Sequence, residues 1–66
     1  MTTAIANKIV RSVNAARHMG GFIVANVNDG SSTWYSDGSR PAVGAGEVSI
    51  SVRSGKFTRA HLAEYV

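Results

Sequence analysis

Gly21-Phe22-Ile23-Val24-Ala25-Asn26-Val27-Asn28-Asp29-Gly30-Ser31-Ser32-Thr33-Trp34-Tyr35 decides how the rest of this chain is arranged. Two strand-like runs, Phe22 to Val27 and Ser32 to Ser36, flank Asn28-Asp29-Gly30. These three residues tolerate the positive φ that a twisted hairpin turn requires, so the spacing predicts two antiparallel strands joined by a tight turn. In the first strand Phe22, Val24 and Asn26 point one way and Ile23, Ala25 and Val27 the other. Apolar residues on both sides predict a strand covered on both faces, one of them by a partner. In the second strand Trp34 lies on one face and Thr33 and Tyr35 on the other. Whichever face is covered, a large aromatic remains on the opposite side, as at contact surfaces.

Before the hairpin, residues 3–19 read as a helix. Thr2 or Thr3 supplies the N-cap and Gly20-Gly21 the stop. Ile5, Ile9, Val13 and Ala16, with Ala6 and Met19, share one face at about 100° per residue. Asn7, Arg11, Asn14 and His18 form a polar stripe on the opposite side. It is a candidate contact surface, and a solvated face would carry the same residues. Arg17 and His18 are expected in the last turn, where positive charge suits the helix dipole.

After the hairpin, residues 37–46 form the longest loop, punctuated by Asp37-Gly38, Pro41, Gly44 and Gly46. Arg40 is its candidate binding residue. Glu47, Ser49, Ser51 and Arg53 then alternate with Val48, Ile50 and Val52, the cleanest strand pattern in the chain. Its apolar set is expected to face the first helix. Ser54-Gly55-Lys56 turns the chain into a short helix from Arg59 to Tyr65. Thr58 is its expected N-cap, and Phe57 and Leu62 stand at the spacing of a hydrophobic staple. Two turns of helix do not persist alone in water, so docking through Leu62, Ala63 and Val66 is expected.

The expected fold is therefore α+β, a single domain over 1–66 in the order α-β-β-β-α. A three-stranded antiparallel sheet carries the N-terminal helix on one face. The order of elements is that of a double-stranded-RNA-binding domain in outline, but that family ends in a long basic helix and this chain does not. Phe57-Thr58-Arg59-Ala60-His61-Leu62-Ala63-Glu64-Tyr65-Val66 resembles the first helix of helix-turn-helix regulators. The resemblance covers ten residues, includes neither turn nor recognition helix, and implies nothing about DNA reading.

Composition narrows the functional classes. A chain of 66 residues is a small, marginally stable domain, and with no Cys it has no disulfide to reinforce it. Self-association, as a homo-oligomer, is the expected reinforcement. Lack of Cys, of a secretory leader and of an apolar run near the ~20 residues of a spanning helix points to a complete cytoplasmic protein with no membrane role. Net charge is +3, which excludes a DNA mimic and favours acidic partners.

No catalytic constellation is legible. Asp29 and Asp37 sit in turns, and Glu47 and Glu64 lack partners for paired-carboxylate chemistry. There is no nucleophile elbow, and the glycines fit neither a dinucleotide fingerprint nor a P-loop. His18 and His61 are too poorly supported to hold zinc, so neither metal nor cofactor is expected. The leading expectation is a non-enzymatic binding protein acting stoichiometrically on a protein or nucleoprotein complex, in the manner of phage or mobile-element accessory and inhibitor proteins. Its contacts would come from Trp34, Tyr35 and the polar helix stripe. The alternatives are nucleic-acid binding through Arg53, Lys56, Arg59, Arg40 and the aromatics, or a self-assembling structural protein.

Overall fold

The computed structural model describes residues 1–66 and contains α1 (Thr3–Ala15), β1 (Phe22–Asn26), β2 (Ser32–Tyr35), β3 (Glu47–Ser51) and α2 (Arg59–Ala63). All strand pairs are antiparallel, and the spatial order is β2-β1-β3. The hairpin thus supplies the centre and one edge, and β3 joins its other side. Ile23 stands opposite both Trp34 and Ile50, and Val24 opposite both Thr33 and Ser49. Ile23, Ala25, Ile50 and Val52 bury one face against Ile9, Val13 and Ala16 of the helical segment and Phe57 and Leu62 of the last. The α+β domain, with α1 packed on one face of the sheet, is as the periodicities predict.

The turn forms by different means from those expected. Only Gly30 takes a positive φ, +77°. Asn26 Oδ1 accepts from Asn28 N–H, Asp29 Oδ1 accepts from Ser31 N–H, and Gly30 N–H donates to the Asn26 carbonyl. Asn28 and Asp29 therefore act through side-chain-closed turns rather than through left-handed backbone. Gly30 is buried beneath Ile5 and Lys8 of α1, which seats the helix on the turn.

Helix α1 is shorter than its hydrophobic pattern. Thr2 caps it, its Oγ1 accepting from Ile5 N–H. After Ala15 the backbone tightens into successive three-residue turns, with Ala16, Arg17 and Met19 N–H donating to Val13, Asn14 and Ala16. Arg17 and His18 consequently lie past the helix rather than in its last turn. Met19 is 57% exposed, not on the buried face. Gly20 and Gly21, at φ +67° and +79°, reverse the chain into β1.

The path of residues 36–46 follows from the strand order. It joins β2 to β3, two parallel strands on opposite sides of β1, so it must cross β1. The helices fill the Ile23 face, leaving the Val24 face for the passage. Two observations bear on that face. Glu47, whose side chain is on the Val24 face, accepts from Gly44 N–H through Oε1 at 2.8 Å. Val24 is only 8% exposed yet stands outside the main core cluster. Val24 is thus already buried within the single chain.

At the other end of the chain, Thr58 Oγ1 accepts from His61 N–H and His61 Nδ1 accepts from Thr58 N–H, a capping box with His in the acceptor role. Phe57 and Leu62 are both buried, as the staple spacing predicts. The remaining contact to the core comes from Tyr65, while Ala63 and Val66 are exposed, against expectation. Replacing Thr58 with Ala is expected to cost about 1 kcal/mol, read as a lower urea midpoint at unchanged slope. An unchanged midpoint would show that the staple alone holds α2.

Candidate functional site

Two surfaces concentrate the side chains with functional potential. The first is β2. Asn26 N–H donates to the Ser31 carbonyl, which fixes the phase of the ladder. In that phase Thr33 and Tyr35 turn their backbone groups toward β1, and Ser32 and Trp34 turn theirs outward. All four residues are exposed. The strand carries none of the usual protections of a sheet edge: no Lys, no Pro, no inward charge. Trp34 is 39% exposed and Tyr35 36%, on opposite faces. Trp34 is held in place, because its Nε1–H donates to the Gly20 carbonyl at 2.8 Å and its ring lies against Gly21.

The second surface is a shallow cleft of about 590 Å³ between the end of β3, the 54–56 turn and α2. Arg53, Lys56 and Ser54 line it together with Phe57, His61 and Tyr65. Its geometry depends on Asn14. The Asn14 amide donates to the Phe57 carbonyl through Nδ2 and accepts from Phe57 N–H through Oδ1, both at 2.8 Å. This side chain does for Phe57 what a neighbouring strand would do, and it fastens the 54–58 segment to α1.

The sequence-predicted site residues therefore separate. Trp34 and Tyr35 share β2, and Arg53 and Lys56 share the cleft. Arg59 is exposed at the start of α2 but does not line the cleft. Arg40 is exposed in the crossing loop. Asn7, Arg11 and His18 are exposed on or just past α1, but Asn14, the fourth member of that stripe, is occupied by the fold. His61 and Tyr65 line the cleft and were not singled out by sequence. A Thr-x-x-His spacing ahead of Leu62 was the available signal.

The acids are mostly occupied with backbone. Asp37 Oδ1 accepts from Gly21 N–H, Glu47 from Gly44 N–H, and Asp29 from Ser31. No group of three or more His, Cys, Asp or Glu lies together as metal ligands would. No helix is long and apolar enough to cross a membrane. No family model, characterised protein or solved structure matches the chain.

The turn holds the Asp29 carboxyl below its ordinary titration range. The Ser31 hydroxyl, then the Ser31 N–H, donate to its carboxylate, and Lys8 adds attraction, so its pKa lies below the ordinary 3.8. A depressed folded value means the carboxylate's contribution is complete above 3.8 and is lost as pH falls through the lower folded value. Asp29→Asn keeps the turn's acceptor and removes this titration. Its stability is expected to fall less steeply with acid than that of the wild type. Equal slopes in acid denaturation would contradict the assignment.

Proposed function

We propose that the chain is a non-enzymatic binding protein, acting stoichiometrically on a protein or on the protein component of a nucleoprotein complex, and that it takes an extended segment of that partner onto the outer edge of β2. The observation that carries this reading is the open edge itself. Ser32 and Trp34 direct unpaired backbone groups outward beside two aromatics that the fold leaves one-third exposed or more. Added strands gain affinity from main-chain hydrogen bonds and specificity from alternate side chains. Trp34 and Tyr35 would supply the side-chain contacts on the two faces. Trp34 is already ordered by Gly20, so less conformational freedom is lost on binding. The occupation of three acids by backbone groups supports the non-enzymatic part of the reading. Accessory or inhibitor proteins of phages and mobile elements work in this stoichiometric way, and a cytoplasmic site of action belongs to the same proposal.

Ser32→Pro tests it. Proline at an outward-facing edge position removes no internal hydrogen bond. The variant is expected to keep its circular dichroism spectrum and to lose the partner that the wild type captures from nuclease-treated lysate. Retention of that partner by the folded variant would refute the edge as the contact.

The same edge admits a second copy, because antiparallel pairing of identical strands closes about a twofold axis. In that homo-oligomeric reading the mass by light scattering rises with concentration for the wild type and not for Ser32→Pro. A monomer mass at all concentrations would eliminate it.

A further inference from the structure

The cleft beside α2 is a surface distinct from the β2 edge, and its chemistry is different. We infer that it binds single-stranded nucleic acid, with a phosphate held by Arg53 and Lys56 and a base laid against His61 and Tyr65. At about 590 Å³ it has the volume of a small-molecule site rather than of a single ion. Its lining includes Arg53, Lys56 and Ser54, all donors suited to a phosphate. Aromatic rings line it as well. The Phe57 ring lies 5.8 Å from that of His61 and 6.2 Å from that of Tyr65, tilted by 39° and 49°. Phe57 is buried beneath, Tyr65 is half-buried and His61 is exposed, so a flat ligand meets ring surface there.

The capping box sets what His61 offers. Its Nδ1 accepts the Thr58 N–H at 3.1 Å, so that nitrogen carries no proton and the ring N–H is on Nε2. His61 therefore adds a donor to a pocket already rich in donors. Glu64 is the one carboxylate on the lining, and it provides an acceptor for an exocyclic amino group. Base-stacking rings beside a cationic track are the two components of single-strand binding. A duplex keeps its bases stacked inside and cannot present one to Tyr65. An acidic peptide would satisfy Arg53 and Lys56 but leave the aromatic wall unused.

Fluorescence anisotropy with a short labelled oligonucleotide, its duplex form and a mononucleotide tests the site. The single strand is expected to bind more tightly than the duplex. One phosphate neutralised predicts a logarithmic salt slope of about −0.7 on a single strand. The Arg53→Gln, Lys56→Gln double variant is expected to lose roughly tenfold in affinity at low salt. Tyr65→Leu should lose about tenfold through stacking, with a shallower change in salt slope. The charge-matched Lys8→Gln, Arg17→Gln double variant is expected to bind as the wild type does, and so is Ser32→Pro. Four results would each overturn the inference: no binding of the single strand at low salt, duplex bound equally well, the same loss in both double variants, or displacement by polyglutamate as effective as by unlabelled strand. A mononucleotide that binds as tightly as the strand would reassign the site to free nucleotides and overturn the strand-binding form.

Discussion

Gly21→Ala is expected to unfold this domain or leave it close to unfolding. Gly21 sits at φ +79°, in the left-handed region that L-residues occupy at a cost of about 1–3 kcal/mol. Sterics add to that. A β-carbon at Gly21 would run into the Tyr35 carbonyl oxygen and come within 3.0 Å of Trp34 Nε1. The carbonyl is ladder backbone and cannot move without opening the β1–β2 pairing at Phe22 and Tyr35. The same residue donates its N–H to Asp37 and accepts the Val52 N–H, so it joins both neighbouring strands at the point where α1 enters the sheet. A domain of this length has a total stability of about 3–10 kcal/mol. A loss of about 3 kcal/mol or more is therefore decisive, and it should appear as a collapsed thermal transition and loss of near-ultraviolet Trp signal. A Gly21→Ala protein with a wild-type melting curve would contradict the left-handed, close-packed geometry. Gly38 is the control, because nothing lies within 4 Å of a β-carbon there.

Asn14→Leu is the second large effect. The substitution keeps the approximate volume and removes both bonds to Phe57. It leaves the Phe57 N–H and carbonyl without partners in a part-buried setting, at about 1–3 kcal/mol for each. A combined loss of about 2–6 kcal/mol follows. Asn14→Asp separates the two bonds. Its carboxylate still accepts from Phe57 N–H but faces the Phe57 carbonyl with no donor, so its loss should fall between wild type and Leu. Urea denaturation gives both values. Equal stability of Asn14→Leu and wild type would show that α2 and the 54–58 segment dock through Phe57 and Leu62 alone. The loss should be accompanied by early proteolysis after Lys56, because the 54–58 segment that Asn14 fastens carries that residue.

These two positions mark where sequence reading stops. The elements themselves were legible because each carries a local signal: period 3.6 in α1, alternation in β3, the staple and cap of α2. Periodicity also identified the buried faces of α1, β3 and α2, whose Ile9, Val13, Ile50 and Leu62 meet in one core. What it could not supply were the long-range partners. Asn14 falls on a polar stripe with Asn7, Arg11 and His18, and nothing in that spacing distinguishes a side chain that will clamp Phe57, 43 positions away, from one that faces water. Met19 follows the apolar spacing, yet the helix ends four residues before it.

The two-sided apolar character of β1 is matched by burial of both Ile23 and Val24 within the chain. Hydrophobic pattern records that a residue is buried but not by what. The 36–46 loop, polar and rich in Gly, carries no sign that it crosses a strand, and the side of the hairpin that β3 joins is likewise unmarked. Once β3 pairs with β1, the crossing is obligatory. That pairing also leaves β2 at an edge, which converts Trp34 and Tyr35 from two exposed aromatics into part of an unpaired strand. For the cleft, Arg53 and Lys56 were legible as neighbours in sequence. The contribution of His61 and Tyr65 required the capping box and the packing of Phe57.

Amide hydrogen exchange by NMR, read residue by residue on the dilute chain and again on its complex with the captured partner, tests the open edge of β2 most directly. In the free chain the Thr33 and Tyr35 amides should be protected by β1, and the Ser32 and Trp34 amides should exchange freely. In the complex Ser32 and Trp34 should become protected as a strand adds to the edge. If their exchange is the same with and without partner, the contact lies elsewhere and β2 is not the binding edge.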